Sequence, residues 1–320
     1  MFIDELTITI RSGNGGKGCE SLFRRPDRKV IPNGGDGGDG GDVIIRADSN
    51  VGSLLSLKSK RVFEAEHGGA GLSNNKYGRK GNDCIISVPC GTTVFNKDDQ
   101  LLIRDMIESG DQVLVLKGGH RGYGNHQDRD ATLGEAGKEI DVFLSYKIIT
   151  DIVLIGLPNS GKTAFLKTLT GAGVHETDYP FSTKAPQLGT YRTDTSQLRI
   201  CDLPSIYHGS EEEHGLGTHF LKHLERARLF FFVVDVGSKF SADLSDGFQM
   251  LLNIVQRYNL DFLKKQRVVI VNKADLLEKE EMVRHKLFPG SEKIFFISVK
   301  DKTGLDELMN EAAKHLEETL

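Results

Sequence analysis

The sequence predicts two domains of different classes: a glycine-rich β domain in residues 1–150 and a doubly wound α/β domain in residues 151–320. Glycine marks the division, because 24 of the 36 glycines lie in residues 1–150. From Asp151 onward, apolar runs alternate with helical segments, which is typical of a parallel sheet covered by helices. With 320 residues, the chain is long enough for each domain to bury its own core.

Composition narrows the class of protein. A hydrophobic content of 38% and a net charge of −4 fit a soluble globular protein and argue against a generally basic nucleic-acid binder. The N-terminus lacks a signal-peptide pattern, and the most apolar run, residues 229–234, is too short to span a bilayer. We therefore expect a cytoplasmic monomer without a membrane span. Its cysteines are expected to be reduced: Cys19, Cys84, Cys90 and Cys201.

Short apolar or alternating runs in the first domain predict strands, and glycine-rich segments separate them. The predicted strands are residues 6–10, 43–45, 85–88, 113–116 and 140–144. The glycine-rich segments are residues 13–18, 33–42, 67–81 and 118–125.

Residues 34–42 repeat Gly-Gly-Asp, and three residues per turn is the period of a polyproline-II helix. Such a helix places the three aspartates along one edge. A flexible linker is one alternative. A calcium-binding β-roll is another, but it needs several nine-residue repeats and the sequence contains one. Recurrence of the glycine segments between strands favours an ordered module.

Basic residues cluster at three places in the first domain, and such clusters can contact RNA phosphates. Solvated loop charges are the alternative interpretation, and the sequence alone leaves both open. The clusters are Arg24, Arg25, Arg28 and Lys29; Lys58, Lys60 and Arg61; and Lys76, Arg79 and Lys80.

The second domain has the element pattern of a doubly wound sheet, whose ligand is expected at the carboxyl ends of the strands. Predicted strands are residues 152–155, 188–191, 198–201, 229–234, 268–271 and 294–297. Predicted helices are residues 162–169, 219–226, 244–258, 278–286 and 305–320.

A phosphate-binding loop follows the first of these strands and opens the first helix. Its residues are Gly156-Leu157-Pro158-Asn159-Ser160-Gly161-Lys162-Thr163. Glycine lets backbone N–H groups point at phosphate oxygens, and the helix N-terminus adds positive potential. Lys162 can then reach the β- and γ-phosphates, and the Thr163 hydroxyl can ligate Mg²⁺.

Three further motifs lie at other strand ends. Asp202 follows one strand, where its carboxylate could hold Mg²⁺ through water. Asn272-Lys273-Ala274-Asp275 follows another, and the Asp275 carboxylate can accept hydrogen bonds from guanine N1–H and the 2-amino group, which adenine does not match. Ser298-Val299-Lys300 follows the last and could offer an N–H to guanine O6.

Together these motifs resemble the Obg family of GTPases, and the resemblance covers essentially the whole chain. It is carried by the phosphate loop, Tyr179-Pro180-Phe181-Ser182-Thr183, Asp202-Leu203-Pro204, residues 215–226, Asn272-Lys273-Ala274-Asp275, residues 13–18 and the Gly-Gly-Asp repeat. The resemblance implies an N-terminal Obg domain of β-structure and polyproline-II helices and a Ras-like G domain. It also implies binding of GTP and Mg²⁺ and action in assembly of the large ribosomal subunit.

The resemblance assigns roles to individual residues. Lys162 binds phosphates, and Lys162 and Thr183 are the expected catalytic residues. Thr163, Thr183 and Asp202 are the expected Mg²⁺ ligands, Thr183 only when a γ-phosphate is present. Asn159 matches an asparagine that coordinates K⁺ in some related G domains. Nucleotide contacts are expected from the eight loop residues and from Phe181, Ser182, Thr183, Asp202, Leu203, Pro204, Ser205, Asn272, Lys273, Asp275, Ser298, Val299 and Lys300.

The chain departs from the family pattern at switch II, where Asp-x-x-Gly is usual and Ser205 replaces the glycine. Serine keeps the N–H that can reach a γ-phosphate but loses conformational freedom. Ile206 stands where Ras has its water-orienting glutamine. Residues 118–125 are bulkier than usual in the family, and the third, C-terminal domain of many relatives is expected to be missing.

Two other functions are possible interpretations. The guanine motif argues against a P-loop kinase or ATPase. The other is a sensor of GDP or guanosine tetraphosphate for which ribosome contact is secondary. No local feature of the sequence distinguishes it from a GTPase that acts in ribosome assembly. His214, His219 and His223 could suggest a metal site, but no nearby carboxylate or cysteine completes one, so packing or solvated histidines are the preferred interpretation.

Overall fold

The computed structural model describes residues 2–171, 185–192, 197–206, 220–238, 243–277 and 293–317. The chain divides into two compact units, Met1–Lys147 and Ile148–Leu320. The predicted boundary, between residues 150 and 151, lies three residues further along the chain than this division after Lys147. Among the described residues, no helix combines the length and apolar character needed to cross a membrane.

The first unit contains two β-sheets and a separate hairpin. Its elements are β1 (Glu5–Arg11), β2 (Leu22–Arg24), β3 (Val30–Pro32), β4 (Val43–Ala47), α1 (Leu55–Lys58), β5 (Val62–Glu64), β6 (Cys84–Val88), β7 (Thr92–Asn96), β8 (Leu102–Met106), β9 (Gln112–Leu116) and β10 (Glu139–Tyr146). The larger sheet has the strand order β5-β1-β10-β7-β8, the smaller has β6-β4-β9, and β2 pairs with β3.

All five strands predicted for this unit are present, whereas β2, β3, β5, β7 and β8 were not predicted. Strand β7 shows why. It begins with Thr92 and Thr93, so it lacks a clear apolar run, yet both threonines are buried in the sheet. The Thr92 hydroxyl donates to the Pro89 carbonyl at 2.7 Å, which satisfies the buried oxygen.

The glycine-rich segments form an ordered bundle of extended chains, as the three-residue period predicts. Hydrogen bonds recur at every third residue: Gly37 and Gly40 donate to the carbonyls of Gly122 and Gly119. The chains approach so closely that a Cβ on Gly40 would lie 2.0 Å from the Gly13 carbonyl oxygen. Only glycine fits such contacts, which excludes a flexible linker as the reason for this composition.

The side chains of the three aspartates of the repeat accept hydrogen bonds from one neighbouring glycine-rich segment, at intervals of three residues. Asp42 accepts a hydrogen bond from the N–H of Gly118 at 2.7 Å, Asp39 from Arg121 at 2.9 Å, and Asp36 from Gly124 at 2.9 Å. Each step of three residues back along the repeat, from Asp42 to Asp36, matches a step of three residues forward along residues 118–124. The two segments therefore run antiparallel. The aspartates therefore lie along one edge, as predicted, and their role is to satisfy backbone donors.

In the described part of the second unit, a six-stranded sheet is covered by helices on both faces. Its strands are β11 (Ile152–Gly156), β12 (Gln187–Arg192), β13 (Gln197–Asp202), β14 (Leu229–Asp235), β15 (Gln266–Asn272) and β16 (Lys293–Phe296), and its α-helices are α2 (Lys162–Thr170), α3 (Leu244–Tyr258) and α4 (Leu305–Glu317). The order is β12-β13-β11-β14-β15-β16, and β12 alone pairs antiparallel within it.

Strand β14 shows how both faces of this sheet are covered. Phe231 packs edge-on against Phe165 of α2 at 6.3 Å between ring centroids. The next residue, Phe232, points to the other face and packs against Phe248 of α3 at 5.4 Å. Neighbours in a strand alternate between faces, so these contacts confirm the doubly wound arrangement.

The structure specifies the type of one predicted helix of this unit and leaves others untested. Residues 219–226 were predicted to be helical, and Phe220–Arg226 form a helix of the 3₁₀ type. Residues 220–224 are all buried, so this segment is covered on every side. Residues 219, 278–286 and 318–320 of the predicted helices lie outside the described residues.

We expect Gly40→Ala to destabilise the first unit by about 1–3 kcal/mol or more, because the new Cβ meets a backbone oxygen that cannot move alone. Thermal and denaturant unfolding of the full chain would measure the change. Gly52→Ala is the matched control, since no atom lies within 4 Å of the Cβ position there. Equal stability of the two variants would contradict the close-packing argument.

Candidate functional site

The phosphate-binding loop lies between a fully buried strand, β11, and the N-terminus of α2. Two of its residues have a positive φ, 61° at Asn159 and 91° at Gly161. At Gly161 a Cβ would also lie 2.1 Å from Nδ2 of Asn272. Glycine is therefore required there by the backbone conformation and by a close neighbour from another strand.

Lys162 is buried, and its ammonium lies inside the curve of the loop. Nζ donates to the carbonyl of Gly156 at 2.9 Å, to that of Leu157 at 3.1 Å and to Oγ of Ser205 at 2.9 Å. Burial lowers the pKa of Lys162 to about 8, and the nearby carboxylates of Asp202 and Asp235 oppose this shift. A buried cation surrounded by acceptors at a helix N-terminus can attract phosphate oxygens.

Thr163 and Asp202 bring two oxygen donors together beside this lysine. The Thr163 hydroxyl donates to Oδ2 of Asp202 at 2.6 Å. Burial raises the pKa of Asp202, while Lys162 and the Thr163 hydroxyl lower it. Oδ1 of Asp202 is buried and has no hydrogen-bond partner among the described residues.

This donor set fits Mg²⁺, which prefers oxygen ligands and is usually held by one or two carboxylates together with substrate phosphates. Among the described residues there is no group of three or more His, Cys, Asp or Glu side chains that could hold a metal ion alone. The pair of Thr163 and Asp202 could therefore complete a Mg²⁺ site only when a phosphate-bearing ligand is present.

The segment that follows Asp202 packs against the phosphate loop. Leu203 and Pro204 are buried, and the N–H of Ile206 donates to the carbonyl of Gly156 at 3.4 Å. Through its contact with Lys162, the Ser205 side chain also binds the loop, which the usual glycine could not do. The sequence identified this position as unusual but did not predict the contact.

The base motif lines a groove of about 430 Å³ next to the phosphate loop. The lining residues are Gly161, Ala164, Thr168, Asn272, Lys273, Asp275, Leu276, Val299 and Lys300. Nδ2 of Asn272 donates to the Ser160 carbonyl at 2.9 Å, which ties the base motif to the loop. Oδ1 of Asn272 accepts from the N–H of Val299 at 3.3 Å, which ties it to the last motif.

Asp275 is oriented by a hydrogen bond within this groove. The Ser298 hydroxyl donates to Oδ1 of Asp275 at 2.8 Å and accepts from the N–H of Asp301 at 3.1 Å. A carboxylate fixed in this way keeps acceptor capacity for two adjacent N–H donors, which is the pattern of guanine.

The structure thus brings together the predicted residues of the loop, the Asp202 segment and the base motif. Phe181, Ser182 and Thr183 lie outside the described residues, as do His214 and His219. His223 is buried, and its Nδ1 accepts from the N–H of Ile148 at 3.2 Å, as expected of a packing histidine.

Asp235 is the residue that sequence reasoning missed. It is the last residue of β14, and its Oδ2 accepts a hydrogen bond from Nζ of Lys273 at 2.6 Å. Burial raises its pKa, and Lys273 and Lys162 lower it. Asp235 lies at the end of a strand, as Asp202 does, and this position is a signal that could have identified it. Unlike Asp202, it belongs to no recognised sequence motif.

A phosphate loop joined to a base groove at the carboxyl ends of a parallel sheet defines a P-loop protein that binds guanine nucleotides. Comparison with known proteins makes the class more specific. Residues 3–148 match the family model described as GTP1/OBG, and residues 151–273 match that of the 50S ribosome-binding GTPases.

Relatives named GTPase Obg match nearly the whole chain. The protein from Fusobacterium nucleatum subsp. nucleatum is 38% identical over 97% of this chain and 75% of its own. That from Borrelia duttonii is 35% identical over 97% of each chain. The chain belongs to the Obg family of GTPases. Among solved structures, the FeoB G-domain from Methanococcus jannaschii is 22% identical, with a TM-score of 0.38, over 52% of this chain and 97% of that one.

We expect Asp275→Asn to weaken GDP binding about a hundredfold, because two hydrogen bonds between guanine and a charged acceptor are lost. Binding of xanthine nucleotides should improve, since xanthine presents an acceptor where guanine has its amino group. Fluorescence competition with GDP, XDP and ADP would measure the three affinities. The result would count against this geometry if the wild type bound ADP as well as GDP.

Proposed function

We propose that this protein is a molecular switch that binds GTP with Mg²⁺, hydrolyses it slowly and acts in assembly of the large ribosomal subunit. The observation that carries the first part is that the phosphate loop is tied directly to the base groove, because Nδ2 of Asn272 donates to the Ser160 carbonyl of the loop at 2.9 Å. Family membership supports the second part, because one matched family model is described as that of the 50S ribosome-binding GTPases.

In this proposal each end of the nucleotide has its own residues. The Lys162 ammonium binds the β- and γ-phosphate oxygens, and the Asp275 carboxylate binds the guanine edge. Thr163 and Asp202 hold Mg²⁺, with Thr183 as a further ligand in the GTP state. When bound, Mg²⁺ neutralises charge on the phosphates.

Slow hydrolysis is expected because the chain offers little to orient the attacking water. Ile206 is apolar and fully buried, so its side chain cannot hold a water molecule. Asn159, in contrast, is exposed on the loop with a positive φ of 61°. We propose that Asn159 helps to hold a K⁺ ion, which supplies positive charge near the phosphates.

Single-turnover hydrolysis should proceed at about 10⁻⁴–10⁻² per second in NaCl and faster in KCl. Asn159→Gly should remove the difference between the salts, and glycine accommodates the positive φ without strain. Phosphate release from the full chain is the measurement. Fast turnover in both salts would exclude a slow site, and equal rates in the wild type would exclude K⁺.

The first unit offers a surface for RNA on the hairpin β2–β3, which we call the basic hairpin (residues 22–32). Four basic residues of this hairpin are exposed, and no ion pair forms at any of them among the described residues: Arg24, Arg25, Arg28 and Lys29. Phe23 beside them is 47% exposed. Unpaired cations next to an exposed aromatic ring suit phosphates and unstacked bases.

The sequence alone could not say which basic cluster is better suited to bind RNA. The structure distinguishes the basic hairpin from the cluster that contains Arg79 and Lys80. Arg79 pairs with Glu66 at 3.4 Å, and Lys80 pairs with Asp83 at 3.3 Å. Their charge is partly neutralised within the protein. We therefore propose that the basic hairpin carries the ribosome contact, and that the nucleotide state of the second unit controls when it forms.

Replacing Arg24, Arg25, Arg28 and Lys29 by alanine should weaken pelleting with purified large ribosomal subunits. The salt dependence should also weaken: the slope of log affinity against log salt should become less negative by about three, because up to four phosphate contacts are lost. The double variant Arg79→Ala, Lys80→Ala removes charges that are already paired and is the control. An effect of equal size in both variants would refute the assignment to the hairpin. Pelleting that is equal with GDP and with a GTP analogue would refute control by the nucleotide.

A further inference from the structure

Asp235 lies at the carboxyl edge of the sheet, next to the base motif but outside it. It ends β14 and is directly opposite Asn272, the last residue of β15, in the parallel pairing. The N–H of Val236, one residue further on, donates to the Asn272 carbonyl at 3.3 Å. The two strands therefore end side by side, and this register places the Asp235 carboxylate beside Lys273.

The ion pair between Asp235 and Lys273 joins a buried carboxylate to a partly exposed ammonium. The Asp235 side chain is 2% exposed, whereas that of Lys273 is 39% exposed, and 2.6 Å separates Oδ2 from Nζ. Oδ1 of Asp235 is buried without a hydrogen-bond partner among the described residues. A buried carboxylate in this setting depends on its cationic partner, so the pair holds the lysine in one position.

Lys273 needs such a constraint. Its backbone is left-handed, with φ 60° and ψ 35°, a conformation that is unfavourable for a residue with a side chain. Its long stem lines the groove between Asn272 and Asp275. A free lysine would sample many rotamers there, and fixing it in advance reduces the entropy lost when a base binds.

We propose that Asp235 is a positioning residue that fixes the Lys273 side chain as a wall of the base groove and thereby raises affinity for the guanosine moiety. This inference rests on the proposed binding of guanine nucleotides. It extends the site by one residue on β14 that makes no contact with the base itself.

The test is equilibrium binding of a fluorescent GDP by the full chain, with unlabelled GDP and GTP as competitors. Asp235→Asn keeps the shape of the side chain but removes its charge. It should weaken GDP and GTP binding alike by about tenfold, or about 1.4 kcal/mol, because both share the base. A change confined to GTP would overturn the proposal, since it would place the effect at the phosphates.

A second variant separates positioning from a general structural role. Lys273→Met keeps an apolar stem but cannot pair with Asp235, and it should show the same loss. The double variant should then be no weaker than the weaker single variant, because both changes break one interaction. Losses that multiply would overturn the proposal. If Asp235→Asn fails to fold, Lys273→Met still decides, because wild-type affinity in that variant would refute a role for the ion pair.

The outcomes also distinguish the inference from the function on which it rests. A wild type that does not prefer GDP to ADP would remove the proposed function itself. Selective binding by the wild type, together with unchanged affinity in both single variants, would remove only the role of Asp235. Thermal unfolding of each variant without nucleotide reports any loss of stability separately.

Discussion

The hydrogen bond from Asn272 to the Ser160 carbonyl joins the two halves of the candidate site. The residues are 112 positions apart, and their contact fixes the distance between the phosphate loop and the base groove. Gly161 makes this approach possible, because any side chain there would meet the Asn272 amide. The remaining geometry of the site depends on this contact: the loop presents Lys162 on one side, and Asn272 holds Val299 of the last motif on the other.

Charge is the second constraint on this site. Lys162, Asp202 and Asp235 are all buried, and isolated buried charges are costly. They are tolerated because each cation lies near a carboxylate and each carboxylate near a cation: Lys162 near Asp202, and Lys273 on Asp235. Ser205 adds a neutral acceptor to Lys162. Oδ2 of Asp202 accepts from the Thr163 hydroxyl, whereas Oδ1 has no hydrogen-bond partner among the described residues. A site assembled in this way gains from a ligand that supplies anionic oxygens and a divalent cation.

The first unit is governed by a different physical rule. Its extended segments lie closer together than any side chain allows, so glycine at two of every three positions of the repeat is a packing requirement. The aspartates that interrupt the glycines satisfy backbone donors that no regular sheet would satisfy. Beside this hydrogen-bonded bundle, the short basic hairpin carries charges that form no ion pair with any residue that the structure describes. The proposed ribosome contact rests on the exposed charge of the hairpin.

By itself, the sequence determined what depends on local spacing. The phosphate loop, the base motif, the Gly-Gly-Asp period and most strands of the second unit follow from residues that are neighbours in the chain. Strands β2 and β7 could not be predicted in this way. Strand β2 has three residues, all exposed, and β7 begins with two buried threonines, so neither shows a periodic pattern of apolar residues. The assignment of the repeat to an ordered module was possible because its period matches a defined backbone helix.

Only the tertiary structure decided which distant residues meet. The pairing of β14 with β15 sets Asp235 beside Lys273, and the path of the chain after Asp202 sets Ser205 against Lys162. Folding likewise pairs Arg79 and Lys80 with carboxylates, whereas the basic hairpin forms no ion pair within the described part of the chain. The physical reason is common to all three: an ion pair or hydrogen bond forms only within about 3–4 Å, and such a distance between remote residues is set by strand register and chain packing.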